Sequence, residues 1–455
     1  TEIVGNTMTL SAAVSGTNTG VALSISTNVL MNGGTLRWTG DTESLVSLSL
    51  FLGGNGGVIE VANPDGNLII GNRLDGVQAQ IISEDAFRGD LVKTGPGTLT
   101  FMGSGTGHNS AFQGLLDIRE GSLIAMVDVG NGGVGAASIF GTNRTWADGT
   151  IFRQGTNFQA FFGNGNNSGE WNLEEFLTFE GGNTFTFAGL LDVGNVFGNI
   201  SVDGVPTQLN LGNTRPLNLN GVTNIQGDTT FDIGQSSTLR FANNNGYIMG
   251  GGDIIKDGLG RIEFRGNSTE WSGNLVIRQG LVLAANQADV LGRGYSTGKT
   301  ITLGDADRQA TAELLIQNLD GVQNWVFEIN HDINVINNAL QTKRLGIDNI
   351  ANGNRVSFNG NITMNDSLIL LLQDGGVSVG GEQAVVNFNG GFRDGAATSG
   401  NLVIQENDGN ATANEKFNGR LTGYANFNSD NSAWTGDVVL STNASYDQDQ
   451  TAVLR

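Results

Sequence analysis

The sequence predicts an all-β protein that is built as one continuous β-solenoid. Three observations support this. One long residue pattern recurs along the chain, apolar and polar residues alternate with a period of two, and clusters of Gly and Asn separate the alternating segments. Period-two alternation is typical of strands, and Gly and Asn suit tight turns. Internal repeats of this kind indicate stacked coils that bury their apolar faces against one another.

The composition favours an ordered chain over a Gly-rich disordered one. Gly accounts for 70 of 455 residues, which is roughly twice its usual share of ~7%. The chain also holds 23 Phe and 6 Trp but only 4 Pro, whereas disordered chains are poor in aromatic residues and rich in Pro. We therefore expect many short strands, and at most a helical turn or two at residues 170–179 and 284–291.

Two copies of the repeat are clear. Each copy begins with Gly-Asp and continues through a Lys, two Gly and a Phe to an aromatic residue, a Gly, alternating apolar residues and a further Gly. Equivalent positions across the copies are expected to play the same structural part. These positions are Gly89, Lys93, Gly97, Phe101, Phe112, Gly114 and Gly121 in the first copy, and Gly252, Lys256, Gly260, Phe264, Trp271, Gly273 and Gly280 in the second.

A third copy lies near the end of the chain and retains Trp434 and Gly436 but lacks the Lys. The recognisable copies span residues 89–125, 252–284 and 419–440. Because strands of the same kind join the copies, we predict a single domain over residues 1–455 that forms an elongated rod. End caps are expected near residues 1–20 and 441–455. The chain begins with Thr1 rather than Met, as a processed product or a fragment would.

This repeat resembles the autotransporter-associated β-strand repeat of autotransporter passenger domains and other large bacterial surface proteins. The resemblance covers the first two copies and, more loosely, the third. Residues 289–292, Asp-Val-Leu-Gly, also resemble the segment that often follows the repeat. The resemblance implies a right-handed parallel β-helix and an extracellular location on the surface of a bacterial cell.

Two residue types within the repeat have alternative interpretations. The simplest for Lys93 and Lys256 is a solvated residue between two turns, and the alternative is that the ammonium group neutralises corner carbonyls or a stacked Asp. Tryptophan side chains form sugar-stacking platforms in some proteins. Because Phe112, Trp271 and Trp434 share one repeat position, we instead expect a core residue or a corner staple there.

The net charge of the chain limits the kinds of partner that it can bind. The chain has 23 basic and 44 acidic residues and a formal net charge of −21. This argues against nucleic acid and anionic membranes, which attract Lys and Arg. No apolar run approaches the ~18 residues of a membrane-spanning helix, so no direct membrane insertion is expected. The chain has no Cys, and thus no disulfide.

No cofactor is predicted, although the acidic surface leaves Ca²⁺ open. Asp305, Asp307 and Asp430 offer carboxylate oxygens, which Ca²⁺ prefers. They match neither the EF-hand loop nor the Gly-Gly-x-Gly-x-Asp repeat. The chain has only two His, His108 and His331, and structural or solvated roles are expected for both.

Signals for catalysis are weak. Ser378 lies in a Gly-x-Ser-x-Gly segment, but a turn and a strand follow it rather than the helix that a nucleophile elbow requires. The carboxylate pairs Glu174/Glu175 and Asp305/Asp307 are expected to belong to an exposed acidic face. The tripeptide at residues 88–90, Arg-Gly-Asp, overlaps the start of the repeat, and the repeat is sufficient to explain it.

The sequence therefore predicts a non-enzymatic extracellular protein, either a stalk or adhesin or a self-assembling fibre subunit. The expected partner is the chain itself, through head-to-tail or lateral assembly, or a cell-surface glycan. The alternatives are a β-helix polysaccharide lyase or glycosidase, which would use paired carboxylates, and a glycan-binding adhesin.

Overall fold

In the computed structural model the chain is all-β, and its described residues contain no helix. The structure describes residues 2–3, 7–10, 29–41, 43–46, 50–71, 81–83, 88–104, 113–128, 149–162, 171–173, 175–187, 216–241, 246–285, 289–292, 298–319, 325–348, 354–372, 384–396, 399–405 and 423–441. Two compact units are present: Thr1–Arg240 with Asn245–Tyr247, and Phe241–Asn244 with Ile248–Arg455.

The first unit holds short strands of two to seven residues. They are β1 (Glu2–Ile3), β2 (Thr7–Leu10), β3 (Val29–Met31), β4 (Gly34–Trp38), β5 (Glu43–Val46), β6 (Leu50–Leu52), β7 (Gly57–Val61), β8 (Asn67–Gly71), β9 (Ile81–Ser83), β10 (Leu91–Thr94), β11 (Thr98–Ser104), β12 (Leu116–Ile118), β13 (Ser122–Asp128), β14 (Thr150–Phe152), β15 (Asn157–Phe162), β16 (Trp171–Leu173), β17 (Leu177–Phe179), β18 (Asn183–Phe187), β19 (Pro216–Leu219), β20 (Thr223–Ile225), β21 (Thr229–Ile233) and β22 (Thr238–Phe241).

The second unit continues in the same way. Its strands are β23 (Ile248–Gly250), β24 (Ile254–Asp257), β25 (Arg261–Phe264), β26 (Glu270–Trp271), β27 (Leu275–Ile277), β28 (Gly280–Ala285), β29 (Thr300–Leu303), β30 (Ala312–Gln317), β31 (Val326–Ile329), β32 (Asp332–Val335), β33 (Lys343–Asp348), β34 (Arg355–Phe358), β35 (Ile362–Met364), β36 (Leu368–Leu372), β37 (Ala384–Phe388), β38 (Phe392–Asp394), β39 (Leu402–Gln405), β40 (Gly423–Phe427) and β41 (Val438–Ser441).

Within each unit the strands stack into parallel sheets. The first unit contains the orders β1-β3-β6-β9, β2-β4-β7-β10-β12-β14-β17-β20, β5-β8-β11-β13-β15-β18-β21 and β16-β19-β22. The second contains β23-β26 and three longer sheets, named here after their first strands. The β24 sheet runs β24-β27-β29-β32-β35-β38, the β25 sheet runs β25-β28-β30-β33-β36-β39-β41, and the β31 sheet runs β31-β34-β37-β40.

The strand order shows how the chain coils. Strands that follow one another along the chain lie in different sheets, and each strand before the end of its sheet pairs in parallel with a strand of a later layer. For example, Leu91 lies opposite Leu116, and Val356 lies opposite Val386. This arrangement is consistent with a parallel β-solenoid, and it confirms the all-β prediction. The turn between consecutive strands of different sheets is called a corner below.

The core is a set of columns formed by the inward-facing residues of successive layers. In the first unit Phe152 stacks on Phe179 with ring centroids 5.0 Å apart. In the second, Phe388 stacks between Phe358 and Phe427, each 5.2 Å away. Parallel in-register strands bring equivalent residues of neighbouring layers together, so a single buried Phe contacts others both above and below.

The short helical turns expected at residues 170–179 and 284–291 are not present in the described residues. The first segment forms β16 and β17. In the second, β28 runs to Ala285, and residues 289–291 form a turn. Apolar residues at alternating positions, such as Leu177 and Phe179, account for the strand. No helix of the described residues is long and apolar enough to cross a membrane.

We expect Phe185→Ala to destabilise the first unit by about 3–5 kcal/mol, because it leaves a cavity in a closely packed column. Phe185 is fully buried and contacts Phe158 and Phe231. The measurement is the free energy of unfolding in urea. The control is Leu340→Ala at a side chain that is 74% exposed, where we expect a change within about 0.5 kcal/mol. Equal effects of the two substitutions would contradict the column packing.

Candidate functional site

The repeat lysines lie inside the protein. Lys93 and Lys256 are both 0% exposed, so the prediction of a solvated residue is wrong. Lys93 lies opposite Ile59 and Ile118 in neighbouring strands, and Lys256 lies opposite Ile277. Each lysine therefore occupies an inward position in a column of Ile residues, next to a corner.

At the corner each ammonium group donates to three backbone carbonyls, as the alternative interpretation proposed. Lys93 Nζ lies 3.1 Å from Thr94 O, 2.6 Å from Gly95 O and 2.9 Å from Glu120 O. An ammonium group has three N–H donors and no acceptor, so three carbonyls satisfy it completely. Two of them belong to its own corner and the third to the corner of the next layer, so the lysine joins two layers.

The second copy repeats this geometry. Lys256 Nζ donates to Asp257 O and Gly258 O, both at 2.6 Å, and to Gln279 O at 3.2 Å. Gly258 and Gly280 have φ of 73° and 77°, a conformation that costs other residues energy. Their equivalents Gly95 and Gly121 have φ of 77° and 71°, so these glycines turn the carbonyls of both corners toward the lysine.

The two remaining described lysines are buried in the same way. Lys299 Nζ donates to Trp271 O at 2.7 Å, and Lys343 Nζ donates to Asn338 O and Gln341 O, both at 2.8 Å. Lys343 also pairs with the Asp366 carboxylate at 2.6 Å. Of the five lysines in the sequence, Lys416 lies outside the described residues. A corner role was not predicted for Lys299 and Lys343, because neither belongs to a repeat copy.

The tryptophan position of the repeat is a corner staple, as expected. Trp271 is 1% exposed, and its indole N–H donates to Gly252 O at 3.0 Å. Trp434 donates in the same way to Gly400 O at 2.9 Å. A Cβ at Gly273 or Gly436 would overlap the same carbonyl oxygens, so the aromatic residue and the glycine two positions later fit one structural requirement. Phe112 lies outside the described residues.

The other repeat positions also have structural roles. Phe101 is 4% exposed, and Phe264 is fully buried between Phe241 and Trp271. A Cβ at Gly89 or Gly114 would overlap the backbone of the layer below. Gly97 O and Gly260 O accept equivalent bonds, from the amides of Ser122 and Leu281.

The aspartate of the Gly-Asp pair links corners of neighbouring layers. Asp90 Oδ1 accepts the backbone N–H of Leu115 at 2.9 Å, and Asp253 Oδ1 accepts that of Asn274 at 2.8 Å. Asp90 of the Arg-Gly-Asp tripeptide thus makes the bond that its counterpart makes in the second copy. The repeat explains the tripeptide.

The buried carboxylates accept hydrogen bonds from neighbouring side chains. Asp117 is 3% exposed and receives hydrogen bonds from Arg153 Nε at 2.6 Å and Arg119 Nε at 2.8 Å. Burial favours a higher pKa for Asp117, but the hydrogen bonds from the two arginines outweigh it and hold the pKa below its usual value. Glu175 is 4% exposed and accepts a hydrogen bond from the Thr150 hydroxyl, so the prediction that it belongs to an exposed acidic face is wrong. Glu174 lies outside the described residues.

The carboxylates of the calcium candidates Asp305 and Asp430 bind neighbouring groups of the protein. Asp305 accepts the backbone N–H of Asp307 at 2.8 Å and pairs with Arg278 at 3.3 Å. Asp430 accepts the N–H of Ser432 at 2.9 Å. Within the described ranges, no group of three or more His, Asp or Glu side chains is arranged to hold a metal ion.

His331 is buried at 4% exposure. Burial and the nearby charge of Lys299 lower its pKa to about 4, so the imidazole is neutral at physiological pH. This agrees with the expected structural role. His108 and Ser378 lie outside the described residues.

An array of asparagines on the β31 sheet was not predicted. Its members are Asn330, Asn359, Asn387, Asn389, Asn426 and Asn428, called the amide array here. Asn359, Asn389 and Asn428 each donate from Nδ2 to Oδ1 of the asparagine in the preceding layer, at 2.6, 2.8 and 2.9 Å. In a second column, Asn426 donates to Asn387 at 3.0 Å.

Comparison of the chain with protein-family models, curated proteins and solved structures finds no match.

We expect an amine-reactive ester to leave Lys93, Lys256, Lys299 and Lys343 unmodified in the folded chain and to label all four after denaturation. Their side chains are at most 5% exposed, and each ammonium group donates to backbone carbonyls. Mass spectrometry of peptides from the two samples measures the labelling at each lysine. Rapid labelling of Lys93 or Lys256 in the native chain would contradict the buried corner.

We also expect the stability to depend on Lys93 at alkaline pH. Burial lowers its pKa from 10.5 to about 8, although the charge of Glu120 partly offsets this. Between these two pKa values the unfolded chain binds the proton and the folded chain does not, so the free energy of unfolding rises with pH.

This rise should be on the order of 2 to 3 kcal/mol for Lys93. Urea unfolding at pH 7.5 and pH 10.5 should show it in the unaltered chain relative to Lys93→Met, which has no titrating group at this position. The difference between the two proteins cancels the contributions of all other groups. Identical pH slopes would show that the folded-state pKa of Lys93 is not lowered.

Proposed function

We propose that the chain is a non-enzymatic, extracellular structural and adhesive β-solenoid, a stalk or self-assembling fibre subunit of a bacterial surface. One observation carries this proposal: residue types that are common in active and binding sites instead make the hydrogen bonds that stabilise the corners. The described lysines donate to backbone carbonyls, the repeat tryptophans staple glycine carbonyls, and the repeat aspartates bind backbone N–H groups. The resemblance of the repeat to that of autotransporter passenger domains supports the bacterial surface location.

We further propose that the coil is right-handed. Right-handed crossovers between parallel strands are by far the commoner form. A stack of parallel strands resists proteolysis because the backbone groups of each layer pair with those of its neighbours.

The terminal strands provide a route to assembly. In the first unit β1, β2 and β5 each lie at one end of a sheet, and in the second unit β38, β40 and β41 do so. An open strand edge pairs readily with another chain. A head-to-tail contact that does not close generates a filament, so pairing of opposite ends between copies would produce a fibre.

An enzymatic function is less well supported. A glycosidase needs a carboxylic acid whose pKa is raised so that it can donate a proton. In the part of the chain that the structure describes, every carboxyl group with a shifted pKa is shifted downward; these groups are Asp117, Asp257, Asp366, Asp394 and Asp430.

Electron microscopy of the purified chain, with calcium and with a chelator, tests the assembly. Ordered filaments are the expected result, and loss of the filaments on chelation would assign metal bridging to the acidic surface. Isolated particles under both conditions would contradict self-assembly. Release of soluble sugar from neutral or acidic glycans would contradict the non-enzymatic assignment.

Deletion of residues 1–10, which removes β1 and β2, should abolish polymerisation because it removes terminal strands. Sedimentation and microscopy measure the polymer. The Leu340→Ala variant, altered at an exposed turn residue, serves as the control and should polymerise like the unaltered chain. Intact filaments from the deletion variant would exclude this end as the contact.

A further inference from the structure

The amide array lies on the outer face of the β31 sheet. Along β37 the side chains of Val386 and Phe388 are buried, whereas Val385, Asn387 and Asn389 face outward. A similar alternation is present in β31, whereas Ser357 of β34 is buried. The registers place Ser357 opposite Asn387 and Asn387 opposite the exposed Asn426. The array thus forms two adjacent columns that run across the strands, in the direction in which the layers stack.

The exposed amides of the array retain hydrogen-bonding capacity on their outer side. A carboxamide has two N–H donors and two acceptor lone pairs. In the column of Asn330, Asn359, Asn389 and Asn428, each link uses one N–H of one asparagine and one lone pair of the asparagine in the preceding layer. Asn389, Asn426 and Asn428 are exposed. Each therefore has a donor and an acceptor left for a ligand.

The spacing of these groups is fixed before any ligand arrives. The asparagines are attached to parallel strands, which lie ~4.8 Å apart, and the links between the side chains hold their rotamers. Little side-chain entropy is then lost on binding, which favours affinity. A matching ligand presents hydroxyl groups repeatedly, at a spacing near that of the layers. An extended polysaccharide whose rings follow one another in a flat ribbon has this property.

The charges on the protein favour a neutral polymer as the ligand. The chain has a net charge of −21, but the six members of the array are uncharged. Glu328 and Arg355 are the charged side chains on the same outer face of the described β31 sheet, and their charges are opposite. A polyanion would be repelled by the chain as a whole, and a polycation would find only one carboxylate on this face.

Two apolar side chains lie beside the amides. Val326, which is 50% exposed, and the half-buried Val385 face outward on the side of the sheet away from the Asn389 column, and the register places Arg355 between them. The C–H faces of pyranose rings pack against such residues, while the ring hydroxyls bond to amides. Sugar sites commonly combine an apolar surface with a few fixed polar groups.

We propose that the amide array binds a neutral, extended, β-linked polysaccharide that lies along the stacking direction of the layers. The proposal rests on the adhesive function proposed above and names its ligand class.

The test is retention of the full chain on insoluble cellulose and on chitin, measured as a depletion isotherm, with soluble polygalacturonate as the polyanionic comparison. We expect binding to at least one neutral polymer and none to polygalacturonate. The double substitution Asn389→Ala and Asn426→Ala should weaken the binding about tenfold or more, since it removes two exposed amides, one from each column. The matched control is Asn334→Ala, which breaks the 2.9 Å amide contact with Asn365 on another sheet of the same unit and should bind like the unaltered chain.

Circular dichroism establishes that each variant is folded. If the double variant does not fold, Asn426→Gln keeps an amide but displaces it by one methylene, and it should weaken binding several-fold. Failure of the unaltered chain to bind either neutral polymer would overturn the proposal, as would equal binding by a folded array variant. A change in oligomeric state in the array variant, with polymer binding unchanged, would identify the face as a contact between copies and would also overturn it.

The same samples distinguish failure of the polysaccharide-binding proposal from failure of the proposed structural function. Filaments without polymer binding overturn the array proposal alone. Release of soluble sugar from a bound polymer overturns the non-enzymatic assignment, because it would make the chain a glycan-degrading enzyme.

Discussion

The corners impose the constraint on which the rest of the structure depends. Within a sheet the parallel ladder satisfies the backbone, but at a corner the carbonyls turn away from the ladder and toward the interior. Burying unpaired carbonyls is costly. The protein meets this cost with an ammonium group that has three donors for three carbonyls, at Lys93 and Lys256. Because one of the carbonyls belongs to the next layer, the same bond also fixes the position of that layer.

Much of the fold can be predicted from the sequence, because period-two alternation directly reports which residues face inward. The same alternation also indicates that Lys93 faces inward. Leu91 faces inward, so the residue two positions later, Lys93, does so as well. A charge alone suggests solvent exposure, and the sequence does not display the carbonyls that surround the ammonium group. Residues 170–179 were ambiguous because short apolar segments fit helix and strand equally well.

The amide array could not be predicted from the sequence, for a different reason. Its links join residues 29, 30 and 39 positions apart, so no fixed period marks them. The loops between layers vary in length while the layers remain in register, and only the paired strands reveal which asparagines meet. The repeat copies, in contrast, were visible because two segments keep their spacing: residues 89–101 match residues 252–264, and residues 112–121 match residues 271–280. Sequence reasoning thus found what lies within one corner and missed what lies between layers with loops of unequal length.

The in-register stacking of parallel strands produces both the packed core and the regular outward amide column. In the β31 sheet the inward residues Phe358, Phe388 and Phe427 form an aromatic column with centroids 5.2 Å apart. The residues that follow them along the chain, Asn359, Asn389 and Asn428, form the outward amide column. Each of these three layers therefore adds one ring to the core and one amide to the surface. A surface regular enough to match a polymer arises without separate binding loops, because the register that packs the core also spaces the amides.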